Sequence, residues 1–196
     1  MKCFTVSLYN MRKFGVGKDE IKSILSDFSC PLNGDVEEFI RCKAYDFDRV
    51  GLARTNLIYT FSEDDKPILV AFFTIGLSHV VIGDELSKND KKRIFGTTYP
   101  IGGTLKTLLI GQLSKNYKNG NNRYIPGDVL MKIVFERIRK IHQIMPSVVT
   151  HIDCKDVFPL RNYYEKFGFH MFKKSDNQLV YLMSTNRIVE NTVSIR

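Results

Sequence analysis

The run Asn162-Tyr163-Tyr164-Glu165-Lys166-Phe167-Gly168-Phe169 decides the reading of this chain. Leu160 to Phe167 has the spacing of a short helix, Gly168 supplies a stop, and Phe169 to Phe172 alternates as a strand. Upstream, Val148-Val149-Thr150-His151-Ile152 is a compact β-branched strand. Downstream, Leu179 to Met183 is a second one, paired with Phe169–Phe172 through a turn at Ser175-Asp176-Asn177. The unit is therefore strand, helix, hairpin.

Working toward the N-terminus, Asp128 starts the clearest amphipathic helix in the chain. Leu130, Val134, Ile138 and Ile141 share one face with Ile133 and Phe135 beside them, while Lys132, Glu136, Arg137, Arg139 and Lys140 face outward. Lys115 to Gly127 is polar and reads as a long loop, and Leu105 to Leu113 reads as a buried strand leading into it. Residues 83–104 read as a basic loop with at most a short helix around Lys91. Thr55–Phe61 and Ile68–Ile75 form a hairpin about the turn cluster Ser62 to Pro67. Two helices precede it. One begins at Gly17-Lys18-Asp19 and buries Ile21, Ile24, Leu25 and Phe28; the other runs from Asp35 through Val36, Phe39, Ile40, Ala44 and Phe47 and ends at Gly51. Phe4 to Leu8 is a short first strand, the last dozen residues read as frayed, and no internal repeat is present. A meander that passes into a strand–helix–strand unit is a mixed α/β architecture around one sheet.

Composition bounds the rest. The chain has 196 residues, of which 43% are hydrophobic and 26% charged, so one folded domain with a real core is expected and disorder is excluded. Four cysteines (Cys3, Cys30, Cys42, Cys154) lie far apart with no C-x-x-C pair, which argues against a zinc ribbon or disulfide framework and for a reducing, cytoplasmic setting. No metal site is expected. The N-terminus is apolar for too few residues to be a secretory signal, and no stretch reaches the ~18 apolar residues of a membrane span. A peripheral membrane role would need a longer basic amphipathic helix.

The net charge of +8 favours anionic partners. It is concentrated: from Leu86 to Gln143 there are 12 Lys and Arg against 3 Asp and Glu, a net of +9. That interval holds the strand–loop–helix unit, where unpaired first-turn N–H groups and the helix dipole favour an anion such as a phosphate ester at Gly127.

The 162–169 run resembles the (F/L)-Y-E-K-x-G-F signature of the GNAT superfamily of acetyl-CoA-dependent N-acetyltransferases, at the family's usual distance beyond its CoA-binding helix. Gly34 to Ala44, Gly51-Leu52-Ala53-Arg54-Thr55 and Leu109-Ile110-Gly111-Gln112-Leu113 are similar to the toxin-type and ribosomal-protein-type branches. The resemblance spans roughly residues 30 to 183. It implies a mostly antiparallel sheet of six or seven strands flanked by helices, and acetyl transfer from acetyl-CoA to a primary amine. Tyr164 takes the place of the tyrosine that protonates the departing thiolate, Asn162 that of a residue near the cofactor, and Leu113 with Ser114 the strand beside the pantetheine arm. Asn122, Arg123, Tyr124, Ile125, Pro126, Gly127 and Asp128 fall on the pyrophosphate loop.

That loop departs from the family pattern Q/R-x-x-G-x-G/A: Asn122 stands at the Gln/Arg position and Ile125 at the first glycine, and only Gly127 is kept. A non-catalytic binder of RNA or protein with the same fold is the alternative this departure motivates. Glu85, His79 and His151 are general-base candidates by residue type alone. The implied acceptors are an aminoacyl-tRNA, a protein amine or a small amine; the toxin-type branch adds a small antitoxin partner, and a homodimer is compatible with the fold.

Overall fold

The computed structural model describes residues 3–83, 86–96, 103–176 and 178–190. Seven strands form one sheet in the order β1-β2-β3-β4-β5-β7-β6. They are β1 (Phe4–Ser7), β2 (Ala53–Phe61), β3 (Pro67–Ile82), β4 (Gly103–Lys115), β5 (Val149–Lys155), β6 (His170–Ser175) and β7 (Gln178–Ser184). The β1–β2, β2–β3, β5–β7 and β6–β7 pairs are antiparallel, and β4–β5 is parallel. The mixed α/β architecture expected from the resemblance is thus the observed one.

The chain divides into two compact units, residues 1–76 with 111–133 and residues 77–110 with 134–196. In the first, helices α1 (Leu8–Lys13), α2 (Lys18–Ser26), α3 (Gly34–Glu38) and α4 (Ala44–Val50) cover the β1–β2–β3 meander. Leu8, Ile21, Leu25, Phe28, Ile40, Leu57 and Phe72 form its core, with Phe28 set edge-on to Phe72. The second helix read from sequence is broken in the middle. Residues Phe39–Lys43 form a π turn between α3 and α4, and Gly51 ends α4 at φ 84°. Only glycine takes that conformation cheaply. Helix α1 was not expected, because its six residues are too short to show a periodicity. A cap makes it: Ser7 Oγ accepts from the Asn10 N–H at 3.2 Å.

The first unit also contains a buried ion cluster. Asp48 is fully buried and accepts from Arg12 (2.7 Å), Arg54 (2.8 Å) and the Thr55 N–H (2.8 Å). These contacts pin the end of α4 to α1 and to the start of β2.

In the second unit, α5 (Lys88–Phe95) is the short helix expected around Lys91, capped by Ser87 and closed by Gly96. Its Ile94 and Phe95 join Val80, Ile82, Val149 and Leu182 in a second core cluster. Helix α7 (Phe158–Lys166) starts with Pro159 in its first turn, a position where a missing N–H costs nothing. The C-terminal dozen is not uniformly frayed: Thr185–Glu190 forms α8, and Thr185 and Ile188 are buried. Residues 191–196 lie outside the described residues.

Two further corrections concern the interval before the long helix. Lys118–Tyr124 is not an open loop but a 3-10 segment kinked at Asn119 and Gly120, which take φ 53° and 71°. Helix α6 (Gly127–His142) then begins one residue earlier than read, with Asp128 in its first turn and Arg139, Lys140 and His142 in its last, both matching the dipole. Leu130, Val134 and Ile138 are buried as expected, and Met131 joins them.

Candidate functional site

The expected site residues fall into two groups. Leu113, Ser114 and Asn122 through Asp128 belong to the first unit; Asn162 and Tyr164 belong to the second.

In the first group, Leu113 and Ser114 lie near the end of β4. The parallel register of β4 with β5 runs from Thr107–Val149 to Ile110–Ile152, and β4 continues beyond it to Lys115. Residues 111–115 are all half-buried, without the in–out alternation of a strand between two layers. Ser114 Oγ lies 2.9 Å from the Lys115 carbonyl and 3.2 Å from Cys30 Sγ, so its hydroxyl is engaged within the unit.

The connection that follows is held by side chains that sequence reading missed. Asn116 is buried; its backbone N–H donates to the Val70 carbonyl (2.7 Å) and its Nδ2 to the Leu69 carbonyl (3.0 Å). Its Oδ1 accepts from the N–H groups of Ser29 (2.9 Å) and Lys118 (3.1 Å). An asparagine directly after a strand was the available signal, since its side chain can close local turns.

Within the loop proper, Asn122 is half-buried and Arg123 exposed. The Arg123 guanidinium folds over the Tyr124 ring at 4.8 Å and donates to its hydroxyl at 2.9 Å. Ile125 is 0% exposed in extended backbone (φ −136°, ψ 112°), so its side chain belongs to the core and only its backbone can face a ligand. Pro126 is exposed, and its carbonyl accepts from the Leu130 N–H at 3.1 Å. Gly127 and Asp128 open α6, placing its first-turn N–H groups directly behind the loop.

In the second group, Tyr164 sits on α7 and is 6% exposed. Its ring meets Tyr163 (5.3 Å), Phe169 and Tyr181 (both 6.2 Å). Burial pushes the phenol well above its ordinary value, and neighbouring Cys154 and Tyr163 add to the shift. The hydroxyl therefore stays protonated through the neutral and alkaline range. Cys154 is itself pushed up to about 11 by burial and by Asp153 and Asp156, so it is a thiol rather than a thiolate. Tyr181 donates to Glu165 Oε1 at 2.9 Å, tying the motif's carboxylate to β7. Ahead of α7, Asp156 pairs with Arg161 and with Lys174 (2.8 Å), and these hydrogen bonds hold its carboxyl below the usual range. Gly168 takes φ 90°, and a Cβ there would meet Met183 Sδ at 3.4 Å, so the motif's glycine is required by backbone geometry. Asn162 is exposed on α7.

The general-base candidates separate clearly. His151 is buried on β5, with Nδ1 2.7 Å from Thr107 Oγ1 and Nε2 3.9 Å from Asp153 Oδ2. Burial lowers its pKa, and His79 lowers it further against the opposing pull of Asp153. It is a neutral, hydrogen-bonded interior group. His79 is exposed on β3, and Glu85 lies outside the described residues.

No family model and no curated protein matches this chain. Solved structures do. A tyrosine-to-phenylalanine mutant of KacT aligns with a TM-score of 0.68 at 13% identity, covering 96% of this chain and 98% of that one. AtaT complexed with acetyl-methionyl-tRNAfMet aligns at 0.66 and 13%, covering 95% and 97%. AtaTR bound with AcCoA aligns at 0.65 and 12%, covering 95% of each. The chain has the GNAT-like fold of these proteins over nearly its whole length.

Proposed function

We propose that this protein is an acetyl-CoA-dependent N-acetyltransferase whose acceptor is the α-amine of an aminoacyl-tRNA. The observation that carries the reading is Tyr164. It stands in a Tyr-Glu-Lys-Phe-Gly-Phe run, on a helix that follows β5 and precedes a hairpin, in the fold of solved structures that include acetyl-CoA and acetyl-aminoacyl-tRNA complexes.

The proposed chemistry is direct. A neutral amine attacks the thioester carbonyl, the tetrahedral intermediate collapses, and the C–S bond breaks. The departing thiolate takes the phenolic proton of Tyr164, while the amine's surplus proton passes to water. A raised phenol pKa keeps the donor loaded. The same rise makes the phenol a weak acid, so its proton moves only as the C–S bond breaks and charge builds on sulfur, and the phenolate then regains a proton from water. On this reading the first-turn N–H groups of α6 and the backbone of 122–128 take the diphosphate, and the β4 backbone at Leu113 and Ser114 takes the pantetheine arm as an added strand. Neutral His151 has no step to perform; holding amine and thioester together supplies much of the rate.

The excess of positive charge suits a tRNA backbone, and the proposed setting is the cytoplasm, with a small antitoxin as second partner. Among the described residues no helix is long and apolar enough to cross a membrane.

The test is release of free CoA from acetyl-CoA with a panel of aminoacyl-tRNAs, N-terminal peptides and polyamines, alongside calorimetry with acetyl-CoA. Turnover with aminoacyl-tRNA supports the reading. Absence of acetyl-CoA binding and of turnover sinks it. A second reading, a binder of RNA or protein without catalysis, draws on Ile125, whose side chain fills the core where the family pattern has a glycine. RNA binding indifferent to acetyl-CoA would favour it.

A further inference from the structure

The strand β3 is irregular at one point. Its register with β2 steps from Ile58–Ala71 to Tyr59–Leu69, leaving Val70 as an extra residue. Such a bulge bends the strand and frees local carbonyls from the ladder. Here two carbonyls at the bulge, those of Leu69 and Val70, both receive hydrogen bonds from Asn116. The Leu69 carbonyl takes a second donor, Asn121 Nδ2 at 3.3 Å. Asn116 and Asn121 thus bracket the kinked turn at Asn119 and Gly120 and tether both its sides to one oxygen of β3.

The other face of Asn116 points to the α2–α3 connection. Besides the Ser29 N–H that it accepts, the neighbouring Tyr117 N–H donates to the Ser29 carbonyl at 2.8 Å, and Lys118 Nζ pairs with Asp27. That connection is stiffened in turn by Glu37. Its carboxylate accepts from the Cys30 N–H at 2.6 Å and pairs with Arg41 at 2.7 Å. The orientation of the Asn116 amide follows from its partners, since both groups at Oδ1 are N–H donors and the group at Nδ2 is a carbonyl. Every polar atom of this buried side chain is used.

We infer that Asn116, seated on the bulged carbonyls of β3, is the positioning residue for the loop that receives the cofactor diphosphate. It fixes the path that glycines fix in the related loop pattern. The inference rests on the acetyl-CoA reading above. Three features carry it. The positive-φ turn lies upstream at Asn119 and Gly120; Ile125, at the pattern's first glycine position, is extended and anchored by its side chain; and the path from β4 to Gly127 is held by the Asn116 contacts at one end and Ile125 at the other. A loop shaped by anchors instead of by flexible glycines presents the α6 N–H groups already arranged, which lowers the ordering cost of binding.

The test is calorimetric titration of acetyl-CoA into wild type, Asn116→Ala and Asn116→Asp, with thermal unfolding followed by circular dichroism. Asp keeps the acceptor at Oδ1 and sets an oxygen against the Leu69 carbonyl; Ala removes both. Losing buried hydrogen bonds that shape the loop should weaken acetyl-CoA binding about tenfold in both variants, with stoichiometry still one per chain. A role in stability alone gives an unchanged Kd with reduced stoichiometry, and that outcome overturns the inference. So does loss of the fold in both variants, or unchanged Kd and stoichiometry in both. If wild type itself does not bind acetyl-CoA, the acetyltransferase reading fails and takes the inference with it. If wild type binds and the variants match it, only the clamp fails.

Discussion

The loop ahead of α6 and the helix α7 make an instructive pair. Helix α7 matches the signature it resembles nearly throughout, whereas the loop keeps one glycine of the corresponding pattern. The difference follows from what each has to supply. At α7 the proposed chemistry needs a particular atom, the hydroxyl of Tyr164, held among Tyr163, Phe169 and Tyr181 on a helix closed by a glycine at φ 90°. Among amino-acid side chains only tyrosine carries a phenol, so the residue type is fixed. The loop is asked only for backbone N–H groups, and many sequences present those. Here Asn116, the Asn119–Gly120 kink and the buried Ile125 hold the path to Gly127.

That contrast can be broken at several points. The largest effect is expected at the loop's inner anchor. Ile125→Gly makes the sequence more like the family pattern, yet it empties a core position and should lower unfolding free energy by about 4 kcal/mol. Acetyl-CoA binding should weaken as well. A variant as stable as wild type that binds more tightly in calorimetry would reverse the account of the loop.

Next comes Tyr164→Phe, which removes one oxygen and leaves the ring packing. Turnover should fall about a hundredfold while the Kd for acetyl-CoA moves by less than about twofold. The opposite pattern, weaker binding at full rate, would strip Tyr164 of its acid role. Gly168→Ala is smaller still. The φ of 90° and the 3.4 Å approach to Met183 Sδ should cost about 1–2 kcal/mol, read as a lowered Tm. An unchanged Tm would mean that the motif's glycine is not held by geometry.

The smallest expected effect is a pH slope. Burial keeps His151 below its ordinary value near 6.5, so the unfolded chain takes up the proton first as acid is added. The stabilisation from a neutral His151 is therefore complete above about pH 6.5 and declines as pH falls toward the folded-state value. His170 is lowered too and adds a slope of the same sign. In urea unfolding between pH 5 and 7, His151→Gln should flatten the dependence without abolishing it. A slope identical to wild type would show that His151 does not contribute, and a matching loss of turnover with intact stability would return it to the list of bases.

Much of the architecture was legible in the chain. Alternating and continuous apolar runs mark β2 through β7, and the 3.6-residue stripe of α6 leaves little choice, because burying one face of a regular element imposes a period on its residues. Short or irregular elements gave no such mark. The six residues of α1 complete fewer than two turns, and the π turn at Phe39–Lys43 preserves an apolar stripe while changing the backbone beneath it. Lys118–Tyr124 is polar on all sides and looks like any surface loop, although it is tied down at both ends.

The sequence by itself determined the proposed acid, its helix and its closing glycine, since these depend on residue type at fixed local spacing. It also determined the basic character of the 86–143 interval. The tertiary structure alone decided how the 116–127 path is held. Asn116 meets carbonyls some 46 residues away and an N–H 87 residues away. Hydrogen bonds between groups so distant along the chain leave no period and no motif behind them.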